Sequence, residues 1–315
     1  MVRVIEGRSS WRSRALSALL RLTSREPLLQ DTDISALRRR YEDFEARHFP
    51  AEKWVAREWT NCNGVIAEWI SVPESRPGRV VLYLHGGSFA FRFPNTYAMF
   101  AARLCRRFAA RALIPDYRLA PEHPFPAAPD DCHAVYRWLL ATGHDSRDLI
   151  LVGDSAGGNL ALVTLGRARQ AGEPLPACAV LLSPAVDCTL TSPSMVDNEE
   201  RDPVLHLRSL LVLRHHYVPS PHLHMHPEVS PIFADFTGYP PLFLQAGSSE
   251  MMRDEAIRTA QRANAAGVHV ELELWPETPH VFQVASFLPE SVQALDHIER
   301  FVLAHTGWKT TSSAQ

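Results

Sequence analysis

The sequence predicts an α/β protein, a mostly parallel eight-stranded sheet flanked by helices. Three observations carry that expectation. Six apolar runs of strand length recur along the chain: RVVLYLH (79–85), RALIPDY (111–117), LILVGD (149–154), ACAVLLSPAV (177–186), PPLFLQAG (240–247) and VHVELELW (268–275). Stretches of helical length separate most of them, the rhythm of βαβ units in a sheet covered on both faces. With 315 residues, 46% of them apolar, the chain can bury so large a core.

The first fifty residues have a helical pattern. ALSALL (15–20), with Trp11 beside it, lies among Arg3, Arg8, Arg12, Arg14, Arg21 and Arg25, a basic amphipathic helix. It is shorter than the roughly 18 residues of a membrane span. Arg21 follows at once and no small-residue cleavage site comes after it, so a signal peptide is not expected. Packing on its own protein is expected, with contact to a membrane surface or transit receptor as the alternative. In DTDISALRRRYEDFEAR (31–47), Asp31 or Asp33 caps a second helix whose Ile34, Leu37, Tyr41 and Phe44 recur at spacings of three and four.

After Pro50 the texture changes. NGVIAEWISV (63–72) alternates and ends at the breaker PESRPG (73–78), which predicts two antiparallel strands ahead of the parallel ones. Helices are expected to begin near Asn95, Pro129, Ala156 and Asp254, and a last one runs from Pro289 to about His305. Residues 188–230 break the rhythm: they are rich in Pro and His and hold one helical stretch, VLHLRSLLVLRHHY (204–217). An insertion at the carboxyl end of a parallel strand sits where open α/β sheets bind ligands. This segment and residues 1–50 are therefore expected to form a helical cap over a core of 51–187 and 231–315, with KTTSSAQ (309–315) as a polar tail.

A net charge of -3 gives no reason to expect nucleic acid as a partner, and a small molecule is expected instead. The five cysteines are odd in number, scattered and without CxxC spacing, which suits reduced thiols of a cytoplasm better than disulfides or zinc. Six of the fifteen histidines fall between His206 and His226, including HLHMH (222–226). A polar cap surface is expected there, with metal binding as the alternative.

The strongest local signal is GDSAGG (153–158), between the strand LILV and a helix. A G-x-S-x-G turn at that junction forces Ser155 into a strained conformation and presents its hydroxyl at a helix N-terminus. A serine hydroxyl needs a base, itself oriented by an acid, and on such a fold both come later in the chain. Glu250 lies three residues beyond PPLFLQAG, and His280 lies beyond the last strand. Asp254 is the rival acid. Acyl transfer also requires backbone N–H groups aimed at the developing oxyanion. Ala156, after the nucleophile, and Gly86 and Gly87, in YLHGGSF (83–89), are expected to supply them. Asp154 is expected to fix the elbow by a local hydrogen bond. Leu205, Leu207, Leu210, Leu211 and Leu213 are expected under the cap, as core first and substrate contacts second.

On these residues the sequence resembles the hormone-sensitive-lipase family of serine esterases, of the α/β-hydrolase fold. HGGSF is similar to the family's HGGG motif, GDSAGG to its nucleophile elbow, and DYRLAPEHPFPAAPDD (116–131) to a third signature, while GSSEMMRDE and PETPHVF match its acid and histidine segments. Two departures stand out: Ser88 replaces a third glycine, and Glu250 stands where many members have Asp. The resemblance implies that Asp116, Tyr117 and Glu122 support the oxyanion loop. It also implies a cofactor-independent carboxylic-ester hydrolase acting on short- to medium-chain acyl esters through Ser155, His280 and Glu250. An amidase with the same triad and a non-catalytic ligand-binding homologue are the rivals. A homodimer is left open.

Overall fold

The computed structural model describes residues 2–23, 27–50 and 52–309. Arg25 and the tail from 310 lie outside the described residues. In chain order the elements are β1 (Val2–Val4), α1 (Trp11–Thr23), α2 (Ile34–His48), β2 (Ala56–Cys62), β3 (Val65–Ser71), β4 (Val80–Leu84), α3 (Pro94–Phe108) and β5 (Arg111–Pro115). There follow α4 (Ala127–Ala141), β6 (Leu149–Asp154), α5 (Ala156–Gln170), β7 (Cys178–Leu182), α6 (Ser194–Asp197), α7 (Leu207–Tyr217), β8 (Leu242–Gly247), α8 (Arg253–Ala265), β9 (Val270–Trp275) and α9 (Pro289–Thr306).

Among the described residues the strands form one sheet in the order β1-β9-β8-β7-β6-β4-β5-β3-β2. All neighbours are parallel except the β2–β3 and β3–β5 pairs. Alternation along β4 shows why its run is apolar throughout. Val80, Leu82 and Leu84 face a core built with α4, α5 and α8, while Val81 and Tyr83 face a second core built with α3 and α9. Both faces are buried, so no position on the strand is left for a polar side chain.

Among the described residues the sheet has nine strands rather than the expected eight. Val2–Val4 pairs in parallel with Leu272–Leu274, so the chain does not begin as helix. Three residues are too few to show a period of two, and the pairing partner lies some 270 residues away along the chain (272 − 2). The second helix does start at its predicted cap: Asp33 accepts from the Ala36 N–H at 2.9 Å.

β4 feeds β5 on one side, whereas β5 returns across it to β6 on the other, so the direction of winding reverses between β4 and β6. Open α/β sheets place ligands outside the carboxyl ends of strands at such a reversal. Here those ends carry His85–Phe89 and Ser155.

Candidate active site

Ser155 occupies the one-residue bend between β6 and α5 with φ 52° and ψ −119°, a conformation that costs a non-glycine residue about 1–3 kcal/mol. Its surroundings enforce the bend. The Ser155 N–H donates to Leu182 O at 2.8 Å, and its carbonyl accepts from Gly158 at 3.0 Å and Ala185 at 3.0 Å. A Cβ on Gly157 would overlap the Leu84 carbonyl, so the helix can approach β4 this closely only with glycine there. Among the described residues the Ser155 hydroxyl has no hydrogen-bond partner, and it faces a pocket.

His280 stands on the loop after β9. Its Nδ1 is 2.9 Å from Glu250 Oε2, with both side chains buried. The carboxylate keeps the proton on Nδ1 and leaves Nε2 as the basic nitrogen. Burial on its own would lower the His280 pKa; the hydrogen bond and negative charge of Glu250 outweigh it and raise the value above the ordinary one. Burial also pushes the Glu250 carboxyl up, against the pull of His280 and the Gly247 N–H. Asp254, the rival acid, is engaged elsewhere: Oδ2 accepts from Ser194 N at 3.0 Å and Oδ1 pairs with Arg253 at 2.7 Å.

Three positioning residues have no counterpart in the sequence reasoning. Ser183, just after β7, donates to Glu250 Oε1 at 2.8 Å and accepts from Val281 N at 3.2 Å, so one hydroxyl ties the acid to the histidine loop. Asn198 Nδ2 donates to the carbonyls of Ser248 and Glu250, and Asp202 accepts from Met251 N at 2.9 Å. A serine following directly on an apolar strand end was the available signal for Ser183. Nothing local marks the other two.

The expected oxyanion donors need one correction. The Gly86 N–H donates to Asp154 Oδ1 at 3.0 Å and so is not free for a substrate. Among the described residues the N–H groups of Gly87, Ser88 and Ala156 have no acceptor. Of the expected donors Gly86 is thus engaged, while Gly87 and Ala156, together with Ser88, keep an N–H without an acceptor. Ser88 has φ 54°, the left-handed region that favours glycine.

Asp154 does not act within the elbow. Its Oδ1 also accepts from Tyr83 Oη at 2.6 Å, so the carboxylate next to Ser155 reaches across to β4 and its loop. Burial pushes its pKa up, and the Tyr83 and Gly86 hydrogen bonds oppose that shift. His85 is sandwiched between Tyr117 and Tyr97 at ring separations of 4.2 and 4.7 Å, and Tyr117 Oη donates to the His85 carbonyl at 2.8 Å. Burial lowers the His85 pKa to about 4, so the ring is neutral at pH 7 and its Nδ1–H donates to Gly86 O.

Of the third signature, Tyr117 touches the loop directly. Glu122 acts through Arg38 of α2, and Asp116 through Arg92 in the segment after β4. Glu122 pairs with Arg38 at 2.9 Å, and Arg38 Nε donates to Ala90 O at 2.6 Å; Asp116 pairs with Arg92, which also binds Glu42 at 2.7 Å.

The pocket above Ser155 is lined mainly by apolar side chains. Phe89 and Tyr217, stacked at 3.7 Å, form one wall. Leu205, Leu210 and Leu213 line it from the 188–230 segment, whereas Leu207 packs with Met195 and Met251 and Leu211 faces outward. Among the described residues no group of three or more His, Cys, Asp or Glu side chains is placed to hold a metal ion. In the His-rich stretch, His222 bonds Ser220 and His226 accepts from Glu228 N. All five cysteines are buried and unpaired, and no helix among the described residues is long and apolar enough to cross a membrane.

A serine on a strand–helix elbow, at the winding reversal of a parallel sheet and under an apolar pocket, defines an α/β hydrolase. Residues 81–284 match the family model described as the alpha/beta hydrolase fold. The chain is 39% identical to an acetyl-hydrolase of Streptomyces hygroscopicus over 76% of its own length and 80% of the relative's. It is 34% identical to an esterase of Acinetobacter venetianus over 92% and 96% of the two chains. Among solved structures, an esterase of the bacterial hormone-sensitive lipase family superposes with a TM-score of 0.88 at 37% identity, covering 96% of this chain and all of that one. The chain belongs to the hormone-sensitive-lipase family and is an esterase, a hydrolase acting on ester bonds.

Proposed function

We propose that Ser155, His280 and Glu250 are the catalytic triad of a carboxylesterase for short- to medium-chain acyl esters, with Gly87, Ser88 and Ala156 as the oxyanion hole. His280 Nε2 takes the proton of the Ser155 hydroxyl as its oxygen attacks the ester carbonyl. Glu250 keeps the imidazole in the required tautomer and stabilises its charged form. Charge on the carbonyl oxygen is met by the three backbone N–H groups, where loss of a single donor typically costs 10² to 10³ in rate, about 3 to 4 kcal/mol. His280 then protonates the departing alcohol, and water repeats the sequence on the acyl-enzyme. The observation that carries this reading is the elbow itself: a strained serine with an unengaged hydroxyl, facing unengaged N–H groups across an apolar pocket.

Helix α2 and residues 188–230 act as the cap over the core of 51–187 and 231–315, while Val2–Val4, expected with the cap, belongs to the core sheet. The pocket walls contributed by Leu205, Leu210 and Leu213 support this role for the second segment, and the hold of Arg38 on the Ala90 carbonyl supports it for the first. A small apolar pocket walled by Leu205, Leu210 and Leu213 favours short acyl chains, in keeping with the acetyl-hydrolase among the relatives. The five unpaired cysteines suit a reducing cytoplasm. Hydrolysis of p-nitrophenyl butyrate well above palmitate, lost in Ser155→Ala together with fluorophosphonate labelling, is the expected result. Equal rates on both chain lengths refute the pocket argument, and an active Ser155→Ala refutes the mechanism.

A further inference from the structure

Helix α1 is turned the opposite way from an ordinary surface helix. At about 100° per residue, Trp11, Ala15, Ala18 and Leu22 fall within an arc of about 60°. That arc faces outward: Trp11 is 69% exposed and Leu22 70%, with Leu19, 57% exposed, at its margin. The inward side carries Ser13 and Ser17, both buried, with Leu16 and Leu20 half-buried beside them. An amphipathic helix that only served its own core would present the reverse.

Polar anchors hold the helix in this orientation. Ser10 bonds both carboxylate oxygens of Glu290, through N–H at 2.5 Å and Oγ at 3.0 Å. Arg12 donates to Phe287 O at 3.1 Å and Arg21 to Arg201 O at 2.8 Å. Phe287 is itself 54% exposed and extends the apolar patch beyond the helix. Arg14 and Arg21 flank the arc on one side and Arg12 on the other, all three exposed, and the helix contains no Asp or Glu.

We propose that α1 is a surface anchor for anionic phospholipid: Trp11, Ala15, Ala18, Leu19 and Leu22 enter the headgroup–acyl boundary while Arg12, Arg14 and Arg21 meet the phosphates. An apolar stripe with a cationic margin matches that interface in both chemistry and depth. Trp11, an amphipathic ring at one end, suits the headgroup level. A second copy of the chain fits less well, because a two-fold contact through this face sets the same arginines against each other with no carboxylate on the helix to pair them. The net charge of −3 makes the attraction a property of this face and not of the whole molecule. The anchor runs from the loop that carries His280 to the segment that lines the pocket.

Sedimentation of the full chain with vesicles of phosphatidylcholine alone, or mixed with phosphatidylglycerol, tests this. Binding is expected to the mixed vesicles and to weaken with salt. Trp11→Ser/Leu22→Ser should lower the partition at least about tenfold, and Arg14→Gln about fivefold. Both variants should hydrolyse dissolved p-nitrophenyl butyrate at the wild-type rate, which shows that they fold. The proposal is overturned if the wild type ignores the anionic vesicles, or if the double variant binds them equally well. Sedimentation equilibrium revealing a dimer that Trp11→Ser/Leu22→Ser dissociates overturns it too, since a second copy then covers the face.

Discussion

Replacing Glu250 with Gln separates orientation from charge in the proposed triad. The site for Oε1 is surrounded by donors, the Gly247 N–H at 2.5 Å and the Ser183 hydroxyl at 2.8 Å. An amide placed there must turn its oxygen toward them and its NH₂ toward His280. The imidazole then has to accept at Nδ1, which moves its proton to Nε2, the nitrogen that must take the proton of Ser155. In the Ser-His-Asp triad the equivalent exchange keeps the geometry and lowers kcat about 10⁴-fold, about 5 kcal/mol of barrier. A fall of that order in kcat, with KM changed much less, is expected for Glu250→Gln on p-nitrophenyl butyrate under steady-state conditions. Asp254→Asn is the matched control, since Asp254 bonds Ser194 and Arg253, and its kcat should stay near wild type. A Glu250→Gln enzyme within about tenfold of wild type, or an equal loss in Asp254→Asn, would refute the tautomer argument.

Two further outcomes follow from the same geometry. Catalysis needs neutral His280, and Glu250 raises the pKa of that imidazole. Activity is therefore present above the raised value and lost as pH falls through it, so the acid limb of kcat/KM should lie above the ordinary histidine value of about 6.5; a limb at or below that value contradicts the assignment. Ser88→Gly keeps the backbone N–H and relieves a left-handed φ, so kcat should change far less than the roughly 10² that loss of a donor brings, while thermal melting should rise slightly. A hundredfold loss would mean that the Ser88 hydroxyl takes part in the reaction.

What was legible in the sequence was local or ordered along the chain. GDSAGG carries its own strand end, bend and helix start, so Ser155 could be placed without knowing any distant contact. The pairing of Glu250 with His280 could be anticipated from their positions after the last two strands, because chain order on this fold maps onto one end of the sheet. The expectation for Gly86 failed for the opposite reason. Whether the Gly86 N–H is free depends on a carboxylate 68 residues away, and no property of HGGSF records it. Strand β1 was missed because its evidence is the unpaired edge of β9, and Ser183 because its two partners come from two other loops.

The carboxylate of Asp154 makes the spacing between Ser155 and the loop after β4 an intrinsic dimension of the molecule. Ser155 follows Asp154 along the chain, and the loop bearing Gly87 and Ser88 hangs from the same side chain through Gly86. The separation of Ser155 from that loop is thus held by one residue and its two bonds to β4 and the loop that follows it, with Arg38 of α2 and Tyr97 of α3 as further ties on the loop. The walls contributed by α7 lie outside those ties. Substitutions at Leu210 or Leu213 can accordingly recut the pocket for a different ester while Ser155 and the loop keep their separation.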